Sequence, residues 1–174
     1  MNPKFVVKTT INAECQKEAS EGLTTKATKI LSIVITGFLV ILFAVAVWQY
    51  IAFPENRNLF FVVIPFFALV YVAYLKFYAP KTQLRRWEES IARTFGTNCL
   101  HVQTEFYDLI LSQIVEESGS EDEEGYSALK EFKETKNLFL LRGKGKTWFF
   151  LAKDGFTVGD PDSFRTFINS LIQK

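Results

Sequence analysis

Residues 30–53 read ILSIVITGFLVILFAVAVWQYIAF and residues 59–75 read LFFVVIPFFALVYVAYL, with only Pro54-Glu55-Asn56-Arg57-Asn58 between them. The first run holds 24 residues without a charge, which as a helix is about 36 Å long at 1.5 Å per residue, enough to cross a hydrocarbon core. Ser32, Thr36 and Gln49 are its only polar side chains, and such groups bond to helix carbonyls or to a neighbouring helix. Pro65 lies near the start of the second run, where its missing donor is either a first-turn group or the cause of a modest kink. Two buried core helices of a soluble protein do not account for charge-free runs of this length joined by so short a turn. The pattern therefore predicts a two-helix transmembrane hairpin. Ala44-Val45-Ala46 has the small-residue form of a cleavage site, but the long preceding stretch contains Glu14, Glu18 and Glu21, so the run reads as an uncleaved span.

Basic residues near the spans set the expected orientation. Lys17, Lys26 and Lys29 precede the first span, Lys76, Lys81, Arg85, Arg86 and Arg93 follow the second, and the turn has only Arg57. Both termini are expected to be cytoplasmic. Trp48, Tyr50 and Phe53 at one side, and Tyr74, Phe77 and Tyr78 at the other, suit interfacial belts, with Lys76 able to snorkel. The expected organisation is an N-terminal strand and helix over 1–29, a hairpin over 30–78 (spans 30–53 and 59–78), a juxtamembrane amphipathic helix over 80–97 and a cytoplasmic β domain over 98–174.

The chain has 174 residues and a formal net charge of +1. What the hairpin leaves, about 130 residues, suits one compact domain. Residues 98–174 carry 9 Lys/Arg against 13 Asp/Glu, whereas residues 76–97 carry five basic residues against Glu88 and Glu89. Positive charge thus lies beside the spans and negative charge away from them, unlike the basic face of a nucleic-acid binder. Cys15 and Cys99 are the only cysteines, and neither belongs to a CxxC or Cys/His cluster, so no disulfide scaffold or zinc site is expected.

Phe5 to Ile11 is a β-branched segment that reads as a strand, with Asn12 and Glu14 as cap and first-turn acid of a helix. That helix could run from Ala13 through Lys29 into the first span, although Gly22 and Thr24-Thr25 weaken its middle. Pro80 and the apolar series Leu84, Trp87, Ile91, Phe95 predict the juxtamembrane helix, stopped at Gly96. Five strands are expected afterwards: Cys99 to Glu105, Phe106 to Val115, Leu129 to Thr135, Leu138 to Arg142 and Thr147 to Leu151. Gly143-Lys144-Gly145-Lys146 reads as a hairpin turn and Lys153-Asp154-Gly155 as another turn. Asp160-Pro161-Asp162 opens a final helix whose apolar face is Phe164, Phe167, Ile168, Leu171 and Ile172. The strand at 5–11 is expected to join the sheet built after Cys99.

The run Tyr126 to Leu141, then Phe149-Phe150-Leu151-Ala152-Lys153 and Phe156, then Asp162 to Ile168, resembles the C-terminal domain of the YcxB-like family of small bacterial membrane proteins. The order of elements agrees with that resemblance; Ala152 departs from it, since the family usually has proline there. The resemblance implies an α+β membrane protein in which a small antiparallel β domain of pleckstrin-homology-like character, with a C-terminal amphipathic helix, sits beside a two-helix hairpin. It implies no established activity and no catalytic residues.

The residues themselves supply few candidates for chemistry. His101 is the single histidine, and no partner for it is identifiable in sequence. Six carboxylates between Glu116 and Glu124 lack the spacing of a calcium loop and read more readily as a solvated hairpin loop than as a cation or partner site. Lys76, Lys81, Arg85, Arg86 and Arg93 are candidate anionic-lipid contacts, for which general surface attraction of about 1 kcal/mol per basic residue suffices. Lys144, Lys146 and Lys153, with Trp148 and Phe150, are a candidate headgroup or partner surface, weighed against a plain lysine-rich turn beside an aromatic core strand. No phosphate-loop, dinucleotide, zinc-protease or nucleophile-elbow motif occurs. The expected catalytic, cofactor and metal sets are all empty. The expectation is a noncatalytic binding module anchored in the bacterial inner membrane, contacting membrane lipids and acting on a protein or lipid partner. The alternative is an oligomeric two-span channel or transporter subunit.

Overall fold

The computed structural model of the chain describes residues 2–53, 58–145 and 147–172. The elements run β1 (Phe5–Ile11), α1 (Ala13–Leu23), α2 (Lys26–Ala52), α3 (Phe60–Phe77), α4 (Ala79–Phe95), β2 (Leu100–Phe106), β3 (Ile110–Val115), β4 (Ser120–Gly125), β5 (Glu131–Glu134), β6 (Leu138–Arg142), β7 (Trp148–Ala152), β8 (Phe156–Val158) and α5 (Pro161–Ile172). They form two compact units: residues up to Leu23 together with those from Arg86 onward, and residues Thr24–Arg85.

In the first unit one antiparallel sheet has the order β4-β3-β2-β1-β8 and a second has the order β5-β6-β7. The expected joining of the first strand to the later sheet is met: β1 pairs with β2 along seven residues, from Phe5 opposite Phe106 to Ile11 opposite Leu100, and with β8 on its other side. Period-two side-chain alternation puts Phe5, Val7 and Thr9 inward beside Phe106, Thr104 and Val102, and all six are buried. Phe164 of α5 lies over them, with ring centroids 5.3 Å from Phe5, 4.8 Å from Phe106, 5.4 Å from Phe139 and 5.3 Å from Phe156. One fully buried ring thereby ties α5 to β1, β2, β6 and β8, and Ile168 one turn later is equally buried.

β6 is covered on both faces, which is why it reads as a continuous apolar run. Phe139 and Leu141 join the core beneath α5, while Leu138 and Leu140 pack against Cys15 and Ala19 of α1. The end of α1 approaches β5 so closely that a Cβ on Gly22 would collide with the Thr135 methyl. A residue that weakens the helix is therefore the one that lets it dock. The two sheets meet where the Thr9 hydroxyl accepts from the Ala152 amide at 2.9 Å and the Lys8 amide donates to the Gly155 carbonyl at 2.8 Å. A side chain on Gly155 would strike the Lys8 carbonyl.

Several sequence expectations are corrected here. Phe106 to Val115 is not one strand: the turn Tyr107-Asp108-Leu109 divides β2 from β3. The acidic stretch is a loop only through Glu116–Gly119, with Gly119 at φ +63°; β4 then pairs with β3 from Ser120 opposite Val115 to Gly125 opposite Ile110. An edge strand leaves most of its carboxylates in water while its backbone is paired on one side, so no desolvation opposes it. β8, which follows the Lys153-Asp154-Gly155 turn, is an additional strand. The continuous helix considered from Ala13 to Lys29 is broken at Thr24-Thr25, where Thr25 Oγ1 accepts from the Thr28 amide at 3.2 Å and caps α2.

In the second unit, α2 with 27 residues and α3 with 18 are long and apolar enough to cross a membrane. Many of their apolar side chains are exposed, Ile33 to 67% and Phe60 to 72%, while Ala46 is buried. They pack against one another, with Phe43 and Phe66 ring centroids 6.1 Å apart, and α3 continues through Pro65. The Thr36 hydroxyl donates to the Ser32 carbonyl at 2.7 Å, satisfying both within the helix. The turn residues Pro54 to Arg57, on which part of the orientation argument rests, lie outside the described residues.

Val7→Ala is expected to lower the opening free energy of the β6 amides by about 2 kcal/mol in hydrogen exchange, although the residues lie on opposite sides of the hairpin in sequence. Lys8→Ala, exposed one residue later, is expected to change it by no more than about 0.5 kcal/mol.

Candidate functional site

The basic residues flagged in the sequence occupy two helices. Lys76 is in the last turn of α3 with Nζ 5.7 Å from the Phe77 ring centroid. Lys81, Arg85, Arg86 and Arg93 are on α4 and are exposed. At about 100° per residue, Leu84, Trp87, Ile91 and Phe95 fall on one face, Arg86 and Arg93 fall opposite, and Lys81 and Arg85 flank. The apolar four are each half-buried. The helix ends as expected at Gly96, whose φ of +71° suits glycine.

Lys144 and Lys153 are not brought together. Lys144 lies before β7 and Lys153 after it, so the strand separates them, and Lys146 lies outside the described residues. The Lys144 amide donates to Glu124, whose carboxylate also lies against Gly143, so this turn is held to β4. Lys153 Nζ donates to the Thr135 carbonyl at 2.6 Å, pairs with Glu134 at 2.7 Å and lies 5.1 Å from the Phe139 ring centroid. Arg165 grips the same Glu134 through Nε and a terminal nitrogen at 2.8 and 2.7 Å. Lys153 is thus part of a structural ion cluster fastening α5 to the β5–β6 turn. Trp148 and Phe150 face α1, while Phe149 and Leu151 enter the main core.

Glu18 makes a second fastening that the sequence did not reveal. From α1 its carboxylate accepts from Thr135 Oγ1 at 2.6 Å, the Asn137 amide at 2.7 Å and Asn137 Nδ2 at 2.9 Å. Burial pushes its pKa up, but these donors and Lys153 outweigh it and hold the group below its ordinary value. Only the register of α1 on β6 would have exposed it, because 117 residues separate Glu18 from Thr135.

His101 does have a partner. Its Nδ1 lies 2.7 Å from Glu117 Oε1, and its amide donates to the same carboxylate at 2.8 Å. Burial raises the Glu117 pKa, but the His101 bonds prevail and lower it overall. The β2–β3 register, with Val102 opposite Val115, brings these residues together at the turn. No third liganding group joins them: among the described residues no three His, Cys, Asp or Glu side chains are grouped to hold a metal ion. Cys15 is buried, and desolvation followed by the Glu18 charge pushes its thiol up to about 11, as for an unreactive packing residue.

The outer face of the five-stranded sheet carries a half-open groove of about 460 Å³, lined by Tyr107, Asp108, Leu109, Ile110, Ser112, Glu121 and Glu123. The Ser112 hydroxyl donates to Glu121 at 2.7 Å, and the Tyr107 hydroxyl donates to Glu105. That bond first, then burial and the charges of Glu105, Glu121 and Glu123, raise the Tyr107 pKa. Leu109 is 78% exposed at the groove's rim. Comparison of the chain with family models, with curated proteins and with solved structures finds no match.

Glu134 gives the domain a defined acid sensitivity. The bonds from Arg165, opposed by burial and joined by Lys153, lower its pKa from 4.5 to about 2. A depressed carboxylate contributes stability above its unfolded pKa that is lost as the group is protonated. The wild-type domain is therefore expected to lose stability as pH falls from about 4.5 toward 2. Glu134→Gln should be less stable at pH 7 by about 1–2 kcal/mol and flatter across that acid window, as read by denaturant unfolding.

Proposed function

We propose that this chain is a noncatalytic binding module anchored by α2 and α3 in a bacterial plasma membrane, with both termini cytoplasmic and α4 lying on anionic headgroups. The carrying observation is the segregation of α4, which is separated from the end of the apolar helix α3 by Tyr78 alone. Its apolar Leu84, Trp87, Ile91 and Phe95 fall opposite exposed Arg86 and Arg93, the segregation of an interfacial helix that turns its apolar face to the acyl boundary and keeps its cations at the phosphates. Cations at the lipid surface each contribute about 1 kcal/mol, and Lys81 and Arg85 flank the same helix. The exposed apolar side chains of α2 and α3 favour lipid over water as their surroundings.

The reading of a binding module draws on the bonds already described, since Glu18, Glu134, Lys153 and Arg165 serve the domain's own cohesion. Its bacterial setting and pleckstrin-homology-like character draw on the resemblance of residues 126–168 to the YcxB-like family. A two-sheet domain closed by a C-terminal helix is compatible with that character.

The test uses the full chain carrying Trp48→Phe and Trp148→Phe, so that Trp87 alone reports, reconstituted into vesicles with brominated acyl chains. Quenching of Trp87 is expected to be strong in vesicles rich in phosphatidylserine and weaker in phosphatidylcholine alone. Replacing Lys81, Arg85, Arg86 and Arg93 by Gln should remove that difference. Equal quenching in both lipids, or none in either, would sink the interfacial reading.

A further inference from the structure

The groove on the outer face of the larger sheet lies beside an open edge. β4 ends the five-stranded order, and among the described residues its main chain pairs in a ladder with β3 alone, the Gly143-Lys144 turn meeting it only at the Glu124 carboxylate near its end. Glu121 and Glu123 stand two positions apart on its outer face, so their side chains rise about 7 Å apart along the strand. Beside them Leu109 and Ile110 offer an apolar floor and rim.

From this geometry we infer that β4 and its groove receive an extended, cationic segment of a protein partner. The main chain of that segment adds to the β4 edge, and Lys or Arg at alternate positions reaches Glu121 and Glu123. An aliphatic side chain between or beside those cations covers Leu109 and Ile110. Strand addition takes its affinity from main-chain hydrogen bonds and its selectivity from alternate side chains, and a period of two in the partner matches the spacing of the two carboxylates.

Charge selects this occupant over the others. A second copy presenting the same edge would set Glu and Asp against Glu and Asp, a like-charge pairing that disfavours association. An anionic bilayer is repelled by the same row. The carboxylates could serve only to keep the edge unpaired, and that role predicts no binding of a cationic strand. The inference rests on reading the domain as a binding module but not on the lipid contact of α4.

The experiment uses the full chain in nanodiscs of phosphatidylcholine and a fluorescent eight-residue peptide alternating Lys with Thr around one central Leu. Saturable binding is expected by anisotropy, with slowed amide exchange along β4. Glu121→Gln with Glu123→Gln should weaken binding about tenfold or more, while Glu14→Gln with Glu21→Gln on α1 should change it by less than about twofold. Glutamine keeps an acceptor for the Ser112 hydroxyl, so the fold is retained and confirmed by unchanged exchange at β6. Absence of saturable binding, equal weakening by both pairs, unchanged β4 exchange or self-association of the chain in place of peptide binding would each overturn the inference. If the peptide fails while Trp87 is still quenched in anionic vesicles, the partner chemistry falls and the lipid reading stands.

Discussion

Strand β1 precedes the apolar helices in sequence yet lies between β2 and β8 in the larger sheet, and the rest of the domain depends on that pairing. A strand bonded on both sides cannot be removed without exposing two ladders, and Val7 and Thr9 on its inner face are nearly inaccessible to solvent. α1 then carries the chain across the outer side of β6, where Cys15, Ala19 and Glu18 add apolar cover and three hydrogen bonds. The two apolar helices are thus an insertion into one folding unit. Such an insertion is thermodynamically tolerable, because each doubling of an intervening segment costs only about 0.6 kcal/mol in closure entropy. Its consequence is that the residues after Gly96 hold the three-stranded sheet but not the whole of the larger one, which lacks β1 without the residues before the helices.

Much of this is legible in the sequence where one physical signal dominates. The hairpin shows through hydropathy, β1 through β-branching, and α5 through the cap at Asp160 and the Phe164–Ile168 spacing. β6 shows as an apolar run whose two-sided burial is explained by α1 and α5. What stays hidden depends on register. Six carboxylates read as a solvated loop because their self-repulsion is visible in the sequence and the ladder from β3 is not; Glu116 and Glu117 do lie in the loop, whereas that ladder pairs the backbone of Glu121 to Glu124 and leaves most of those side chains in water. The Lys153 side chain looks available until the β5–β6 turn supplies Glu134 and two carbonyls around it, and His101 looks solitary until the β2–β3 pairing brings Glu117 to it. The groove at Leu109 is invisible because its floor and its acidic wall come from different strands.

Charge is divided along the same lines as the fold. Cations gather on α4, which follows the apolar pair, while carboxylates gather on β4 at the far edge of the larger sheet, and the ion cluster around Glu134 is internal to the domain. Each group therefore acts in its own way, with α4 attracted to phosphates, β4 setting the chemistry of the sheet edge, and Glu134, Lys153 and Arg165 fastening α5. A single electrostatic surface would not separate these effects, whereas their placement on different elements allows each to be altered alone.

Residues before the hairpin complete the domain after it. Joining residues 1–23 to residues 86–174 through a flexible Gly/Ser linker, and comparing the product with residues 86–174 alone by denaturant unfolding, tests it most directly. The linked chain is expected to unfold in one cooperative transition, and the shorter fragment to show none. Cooperative unfolding of residues 86–174 alone, with the same midpoint as the linked chain, would contradict the account.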